Sequence, residues 1–212
     1  MIKVIDYKAG NAPSVMHAIT SLGYDAVFAR QGAELTDATH ILLPGVGSAG
    51  ATMESLRELN IISALEDAVF KKKTFFLGIC VGLQILFQHS EEDDADCLGW
   101  LKGNVIKFNA SKVRVPQMGW NKVSFTESPI NIDNKINNKN ANEGYFYFVN
   151  SYHAKPENKE DLWGTADYNG QFAAAVHRDN IYATQFHVEK SGKAGLAILG
   201  GFLSLGKGAD SC

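Results

Sequence analysis

Residues 75–84 read Phe75-Phe76-Leu77-Gly78-Ile79-Cys80-Val81-Gly82-Leu83-Gln84. An unbroken apolar run of this length is what a strand covered on both faces of a parallel sheet requires. It passes into G-x-C-x-G, and the periodicity beyond predicts a helix over Val81 to His89. That sequence of strand, tight turn and helix is the cysteine form of a nucleophile elbow. Gly78 and Gly82 lack side chains, so strand and helix can approach each other closely around Cys80. The turn leaves the thiol at the carboxyl edge of the sheet, where α/β proteins place their ligands. A helix N-terminus beside it favours thiolate over thiol by about 0.3–1 kcal/mol. A cysteine between two packing glycines can also be simply buried, so the elbow calls for a base elsewhere in the chain.

Working outward, the pattern alternates strand and helix. Strands are expected at Lys3 to Asp6, Tyr24 to Ala29, His40 to Leu43 and Thr74 to Ile79. Helices are expected from Asn11 or Ser14 to Leu22, where Gly23 stops the run, and over about Ile61 to Lys72. The second half changes style. Short strands separated by turns are expected at Asn104 to Phe108, Asn121 to Phe125, Gly144 to Val149, Leu162 to Tyr168, Phe172 to Arg178 and Ile181 to Phe186. A helix from Gly192 to Leu205 closes the pattern. Residues 126–143, rich in Asn and Lys, read as a solvated loop. The expected fold is α/β: a single doubly wound mixed sheet flanked by helices, in one domain over 1–206 with a short tail at 207–212.

The bulk numbers agree. The chain has 212 residues, 45% of them hydrophobic and 20% charged. A chain of this length buries about 70% of its unfolded surface and needs no disulfide or metal to hold a core. The net charge of -3 leaves no electrostatic footprint for nucleic acid. Cys80, Cys97 and Cys212 fit neither a zinc site nor a disulfide framework, and an odd count points to a reducing, cytoplasmic setting. Asp6 interrupts the N-terminal apolar run too early for a signal peptide, and Ala194 to Leu205 is too short to span a bilayer. No cluster of His, Asp or Glu has metal-ligand spacing, and no cofactor motif occurs.

A nucleophilic thiol needs a base, and the base needs a group to orient it. Gln185-Phe186-His187-Val188-Glu189-Lys190-Ser191 supplies both. In an extended chain His187 and Glu189, two residues apart, face the same way. Glu189 then holds one imidazole tautomer and stabilises its cation. His17, His40, His89, His153 and His177 read as surface or packing residues.

Gly78 to Gln84 together with Gln185 to Ser191 resembles the class I, triad-type glutamine amidotransferases, whose fold is flavodoxin-like. Pro44-Gly45-Val46-Gly47, Pro116-Gln117-Met118-Gly119-Trp120-Asn121 and Tyr147-Phe148-Val149-Asn150-Ser151-Tyr152 narrow the likeness to the glutaminase subunits of imidazole glycerol phosphate synthases. It extends over nearly the whole chain. The resemblance implies hydrolysis of L-glutamine to glutamate and ammonia, with Cys80 as nucleophile, His187 as proton shuttle and Glu189 as its orienter. It implies oxyanion donors at the backbone N–H of Val81 and at an amide near Val46. Gly47, Gln84, Glu92, Asn150, Ser151 and Tyr152 are implied to hold substrate. The implied partner is a (β/α)8-barrel cyclase in a heterodimer of histidine biosynthesis, docking at Asn11, Trp120, Tyr147 and Lys190 and receiving ammonia through its core. The glycines flanking Val46 let that peptide reorient, so an oxyanion hole assembled only on demand is expected.

Three positions depart from the family's pattern. Lys8-Ala9 stands before Gly10-Asn11 where the family has a single Gly, Gln117 stands where His is common, and Val188 stands where Pro is usual. None removes a catalytic group. The first two fall near the implied partner face and leave open a glutaminase feeding another synthase, such as one amidating a surface-sugar precursor.

Overall fold

A computed structural model of the chain describes residues 1–8, 11–126 and 142–206. The Asn/Lys-rich stretch, except its first and last two residues, and the expected tail at 207–212, with Cys212, lie outside the described residues. In chain order the first half runs β1 (Ile2–Ile5), α1 (Ala12–Ser21), β2 (Ala26–Ala29), β3 (His40–Gly45), α2 (Ala49–Glu58), α3 (Ile62–Glu66), β4 (Phe75–Cys80) and α4 (Val81–Gln84). Two two-residue strands follow, β5 (His89–Ser90) and β6 (Ala95–Asp96), then β7 (Gly103–Lys107), β8 (Gln117–Phe125), β9 (Glu143–Asn150) and β10 (Tyr152–Pro156). The chain closes with β11 (Leu162–Asp167), β12 (Gln171–Arg178), β13 (Ile181–Thr184) and α5 (Gly192–Leu203).

Among the described residues, all thirteen strands join one mixed sheet. Its parallel half has the order β2-β1-β3-β4-β13; beyond β13 the pairings are antiparallel, starting with β12, except that β5 runs parallel to β7. The parallel strands β1 and β3 are buried along their whole length, which is why their sequences are continuous apolar runs rather than alternating ones. Lys3 is the exception within β1, and its ammonium reaches Asp37 at 2.8 Å. α1 lies against β1, β2 and β3 and meets α5.

The structure departs from the expected pattern at several elements, the two-residue strands β5 and β6 among them. Residues 49–58 form a helix, α2, capped by Ser48, whose hydroxyl accepts from the Ala51 N–H. Its buried Ala49, Thr52, Met53 and Leu56 have helical spacing. The helix after Cys80 is much shorter than Val81 to His89. From Leu86 the bonds tighten to a three-residue span, and the Gln88 N–H turns away to the Gly103 carbonyl so that His89 and Ser90 can pair with β7. The segment Ile61 to Lys72 is helical, but its second half, Asp67–Lys71, widens to a π turn. β10 forms where no strand was expected and pairs antiparallel with β7.

The elbow itself leaves no room for a side chain at either glycine. A β-carbon on Gly82 would lie 2.1 Å from the Leu43 carbonyl oxygen, and one on Gly78 would lie 2.3 Å from the Gly82 oxygen. Cys80 takes φ 58° and ψ -106°, a strained conformation for a residue with a side chain. Gly82→Ala is therefore expected to destabilise the protein by about 1–3 kcal/mol, measured as a lowered midpoint of urea unfolding. A wild-type midpoint in that variant would show that β3 and the turn are not pressed together.

Candidate active site

Three loops at the carboxyl ends of adjacent strands bring the candidate residues together. β3 delivers Val46 and Gly47, β4 delivers Cys80 and Val81, and the segment after β13 delivers His187, Glu189 and Lys190. All but Glu189 line a cavity of about 290 Å³, which is also lined by Gln84, Glu92, Pro116, Val149, Asn150, Ser151 and Tyr152. All six residues expected to hold substrate are among them.

The extended geometry expected between His187 and Glu189 is not what joins them. Val188–Lys190 form one tight 3-10 turn, with His187 extended just before it. The turn folds Glu189 back so that its Oε1 lies 2.7 Å from His187 Nδ1. A carboxylate only accepts, so Nδ1 carries a proton, and the second ring nitrogen is left to hydrogen-bond Cys80. Both side chains are almost wholly enclosed. Ser191 anchors the turn: its hydroxyl donates to the His187 carbonyl at 2.6 Å and accepts from the Tyr147 N–H at 2.9 Å.

Burial works to lower the pKa of His187, but the hydrogen bonds and charges of Cys80 and then Glu189 outweigh it and lift it to about 9. The imidazole is therefore built to carry a proton beside the sulfur. Glu92 shifts upward through burial, against the opposing hydrogen bond it accepts from the Ala49 N–H at 3.2 Å. Cys97, the other described cysteine, is raised by burial to about 11, with Asp96 adding to the shift, and this marks an unreactive thiol.

The residues expected at a partner face divide. Asn11 points inward, its Nδ2 donating to Glu189 Oε1 at 2.5 Å, so it touches the carboxylate that orients the histidine. Lys190 lines the cavity. Trp120 is 58% exposed and packs edge-on to Tyr147 across the β8–β9 pair. Met118 and Tyr145, on the same face, are 67% and 63% exposed. Val149 pairs with Met118 and also lines the cavity, so this apolar face continues into the site.

Sequence reasoning did not assign Gln185, which is fully buried and donates to Cys80 Sγ at 3.8 Å. Its place directly before Phe186-His187 was the available signal. Pro116 and Val149 were also left without a role at the cavity wall. Near Val46, the Tyr7 hydroxyl faces the Val46 backbone and Thr52 without closing a hydrogen bond to either, and burial raises its pKa. Gly47 has φ 109°, a conformation that side chains rarely adopt. Among the described residues no group of His, Cys, Asp or Glu could hold a metal ion, and no helix is long and apolar enough to cross a membrane.

A thiol at a strand-to-helix elbow, an imidazole and an enclosed carboxylate are the groups that a cysteine hydrolase requires. The family model for class-I glutamine amidotransferases matches residues 3–203, and the chain belongs to that family. It is 39% identical over 204 residues to imidazole glycerol phosphate synthase subunit HisH 2 of Methanococcus maripaludis, covering 96% of this chain and 98% of that one. It is 41% identical to subunit HisH of Leptospira interrogans, covering 97% and 100%. Within the family the chain thus groups with the HisH subunits. Two solved structures share the fold at low identity. The structure of PurLQS from Thermotoga maritima gives a TM-score of 0.75 at 17% identity over 96% of this chain and 97% of that one. The glutaminase domain of Trypanosoma brucei CTPS with bound acivicin gives 0.61 at 16% over 96% and 93%.

Glu189→Gln keeps the shape and removes the charge beside His187. The His187 pKa is expected to fall from about 9, read from the imidazole nitrogens by NMR; an unchanged value would dismiss Glu189 as its partner. The sign of the stability effect follows. His187 binds its proton more tightly folded than at its ordinary 6.5, so its contribution is complete below about pH 6.5 and is lost as pH rises through about 9. Wild-type stability should fall across that window, and the Glu189→Gln variant should lose less. Parallel stability curves for the two proteins would refute this account.

Proposed function

We propose that this chain is the glutaminase subunit of an imidazole glycerol phosphate synthase in histidine biosynthesis, releasing ammonia from L-glutamine and passing it to a cyclase subunit. One observation carries the chemistry: Cys80 and His187 stand together at the wall of the 290 Å³ cavity, and His187 Nδ1 donates to Glu189 Oε1 at 2.7 Å. The likeness to HisH subunits at 39% and 41% identity over nearly full length supports the choice of pathway.

The thiolate of Cys80 attacks the carboxamide carbon of glutamine, and the carbonyl electrons move onto oxygen. The backbone N–H of Val81 and an amide of the Gly45-Val46-Gly47 segment receive that oxyanion; losing one such donor costs about 2.7–4 kcal/mol in related chemistry. His187 gives its proton to the amide nitrogen, the C–N bond breaks and ammonia leaves a thioester on Cys80. His187 then takes a proton from water, which attacks the thioester and releases glutamate. Glu189 keeps the imidazole in the required tautomer throughout. Gln84 Oε1 and Asn150 Oδ1 are buried and without hydrogen-bond partners among the described residues, which suits them to accept from the N–H groups of an amino-acid ligand. No cofactor takes part in this scheme.

The exposed face of Met118, Trp120 and Tyr145 fits a docking surface, with Trp120 as its aromatic anchor. Its continuity with the cavity through Val149 suits delivery of ammonia across the interface. A cyclase of (β/α)8-barrel form as the partner is the reading favoured by the family resemblance. A nucleophilic thiol at the centre of the reaction suits a reducing, cytoplasmic setting.

Cys80→Ala should abolish ammonia release while the protein stays folded, and a glutamine-derived electrophile should label Cys80 and spare Cys97, as read by mass spectrometry. Glutamine turnover by that variant would overturn the mechanism. The isolated chain should hydrolyse glutamine slowly and accelerate when a cyclase binds together with its own ligand. Trp120→Ala should weaken that association by about tenfold or more and leave the slow basal rate in place. Full activity of the isolated chain, unaltered by any cyclase, would rule out the coupling.

A further inference from the structure

The catalytic scheme leaves one buried polar chain unused. Gln185 directly follows β13 and is fully enclosed. Its Nε2 lies 3.8 Å from Cys80 Sγ, and its Oε1 accepts from Gln84 Nε2 at 3.1 Å. Gln84 Nε2 also donates to the Tyr152 carbonyl at 3.0 Å.

The direction of this chain is dictated from its far end. The Tyr152 carbonyl can only accept, so Gln84 must turn its NH2 toward it. That same NH2 meets the side chain of Gln185, which must therefore offer its oxygen. The amide of Gln185 is then left with its NH2 facing sulfur, and no rotation of either amide improves the set. A fixed N–H donor at sulfur stabilises the charged form more than the neutral one. The Val149 carbonyl, 3.8 Å from Sγ on another side, does the opposite by accepting from the thiol. The titratable groups facing the sulfur are His187, from the segment after β13, and Tyr7, from the segment after β1. Glu92 and Lys190 share the cavity.

We infer that Gln185 is a second, uncharged holder of the Cys80 thiolate, aimed by a Tyr152–Gln84–Gln185 amide relay that starts in the wall of the substrate cavity. Because Gln84 belongs both to the relay and to that wall, a ligand that moves Gln84 acts on the nucleophile without touching it. The inference deepens the reading of Cys80 as the nucleophile and rests on it. The two remain separable, because that reading is tested by glutamine turnover and this one by the ionisation of sulfur in the free chain.

The test is the pH dependence of Cys80 alkylation by iodoacetamide in the full chain, read peptide by peptide. Cys97, whose thiol faces the Ala95 carbonyl and shares no hydrogen bond with the relay, serves as the internal control. Gln185→Met keeps length and removes the donor. It should move the pH of half-maximal Cys80 alkylation upward by about one unit, a tenfold loss of thiolate below it, and leave Cys97 unchanged. Gln84→Met, which adds no charge, should give a smaller shift in the same direction, because it can no longer donate to Gln185 and leaves that amide free to turn its oxygen toward Cys80. A merely structural role would alter neither midpoint. Unchanged Cys80 midpoints in these variants would overturn the inference. Should the variants fail to fold, the side-chain NH2 resonances of Gln185 in the wild-type chain decide the matter. They are expected to shift with the midpoint of Cys80 and to vanish as a titrating signal in Cys80→Ala; a flat response through that midpoint would overturn the inference equally.

Discussion

The approach of the β4–α4 turn to β3 sets the geometry on which the site depends. Leu43 presents its carbonyl oxygen where any β-carbon on residue 82 would sit, at 2.1 Å, and the Gly82 carbonyl does the same to residue 78 at 2.3 Å. With both neighbours reduced to glycine, strand and helix meet with almost no intervening volume. The backbone between them can reverse only by taking Cys80 to φ 58°. The strain at that residue persists because the fully buried strands around it leave the chain no alternative path. The outcome is a sulfur held at the sheet edge, with the N–H of Val81 beside it.

Around that sulfur the protein solves the problem of enclosing charge. A protonated imidazole taken out of water is costly unless it is paired and hydrogen-bonded. His187 has Cys80 on one side and Glu189 on the other, and Glu189 in turn accepts from Asn11. The Asn11 contact joins the start of α1 to the turn before α5, so the charge-orienting carboxylate is positioned by two distant parts of the chain. Tyr147 adds a third, since its backbone N–H reaches Ser191 and its carbonyl accepts from the His187 N–H. These backbone bonds couple the β8–β9 pair, with its exposed Trp120, to the segment that holds the base. A partner resting on that pair would bear on the position of His187 through peptide bonds rather than through a mobile side chain.

The antiparallel half of the sheet has a different physical character. Its strands alternate buried and exposed residues where one face meets solvent, as β8 does from Val123 through Phe125. The same alternation leaves Met118 and Trp120 outward at the other end of the strand, where the polar pattern gives way to large apolar groups. Exposed apolar residues grouped in this way mark an interaction surface more often than a packing defect.

How much of this was legible in the sequence depends on the range of the interaction involved. The elbow could be read because Gly78, Cys80 and Gly82 are neighbours and the turn's demands are local, and the buried parallel strands declared themselves as continuous apolar runs. His187 and Glu189 could be paired because two residues separate them, although the 3-10 turn that joins them was not foreseen. α2 was legible in principle, from the Ser48 cap and the spacing of Ala49, Thr52, Met53 and Leu56, and went unread. The early end of α4 was not legible, because it depends on the Gln88 N–H finding the Gly103 carbonyl, a partner that exists only once β7 is in place. The inward turn of Asn11 onto Glu189, the facing of Gln185 toward Cys80 and the continuity of the Trp120 face with the cavity belong to the same class. By itself, the sequence determined the candidate groups, Cys80, His187 and Glu189, and the local turn that presents Cys80. Tertiary structure alone decided which distant amides aim those groups, because hydrogen-bond direction is set by partners that meet only when the sheet closes.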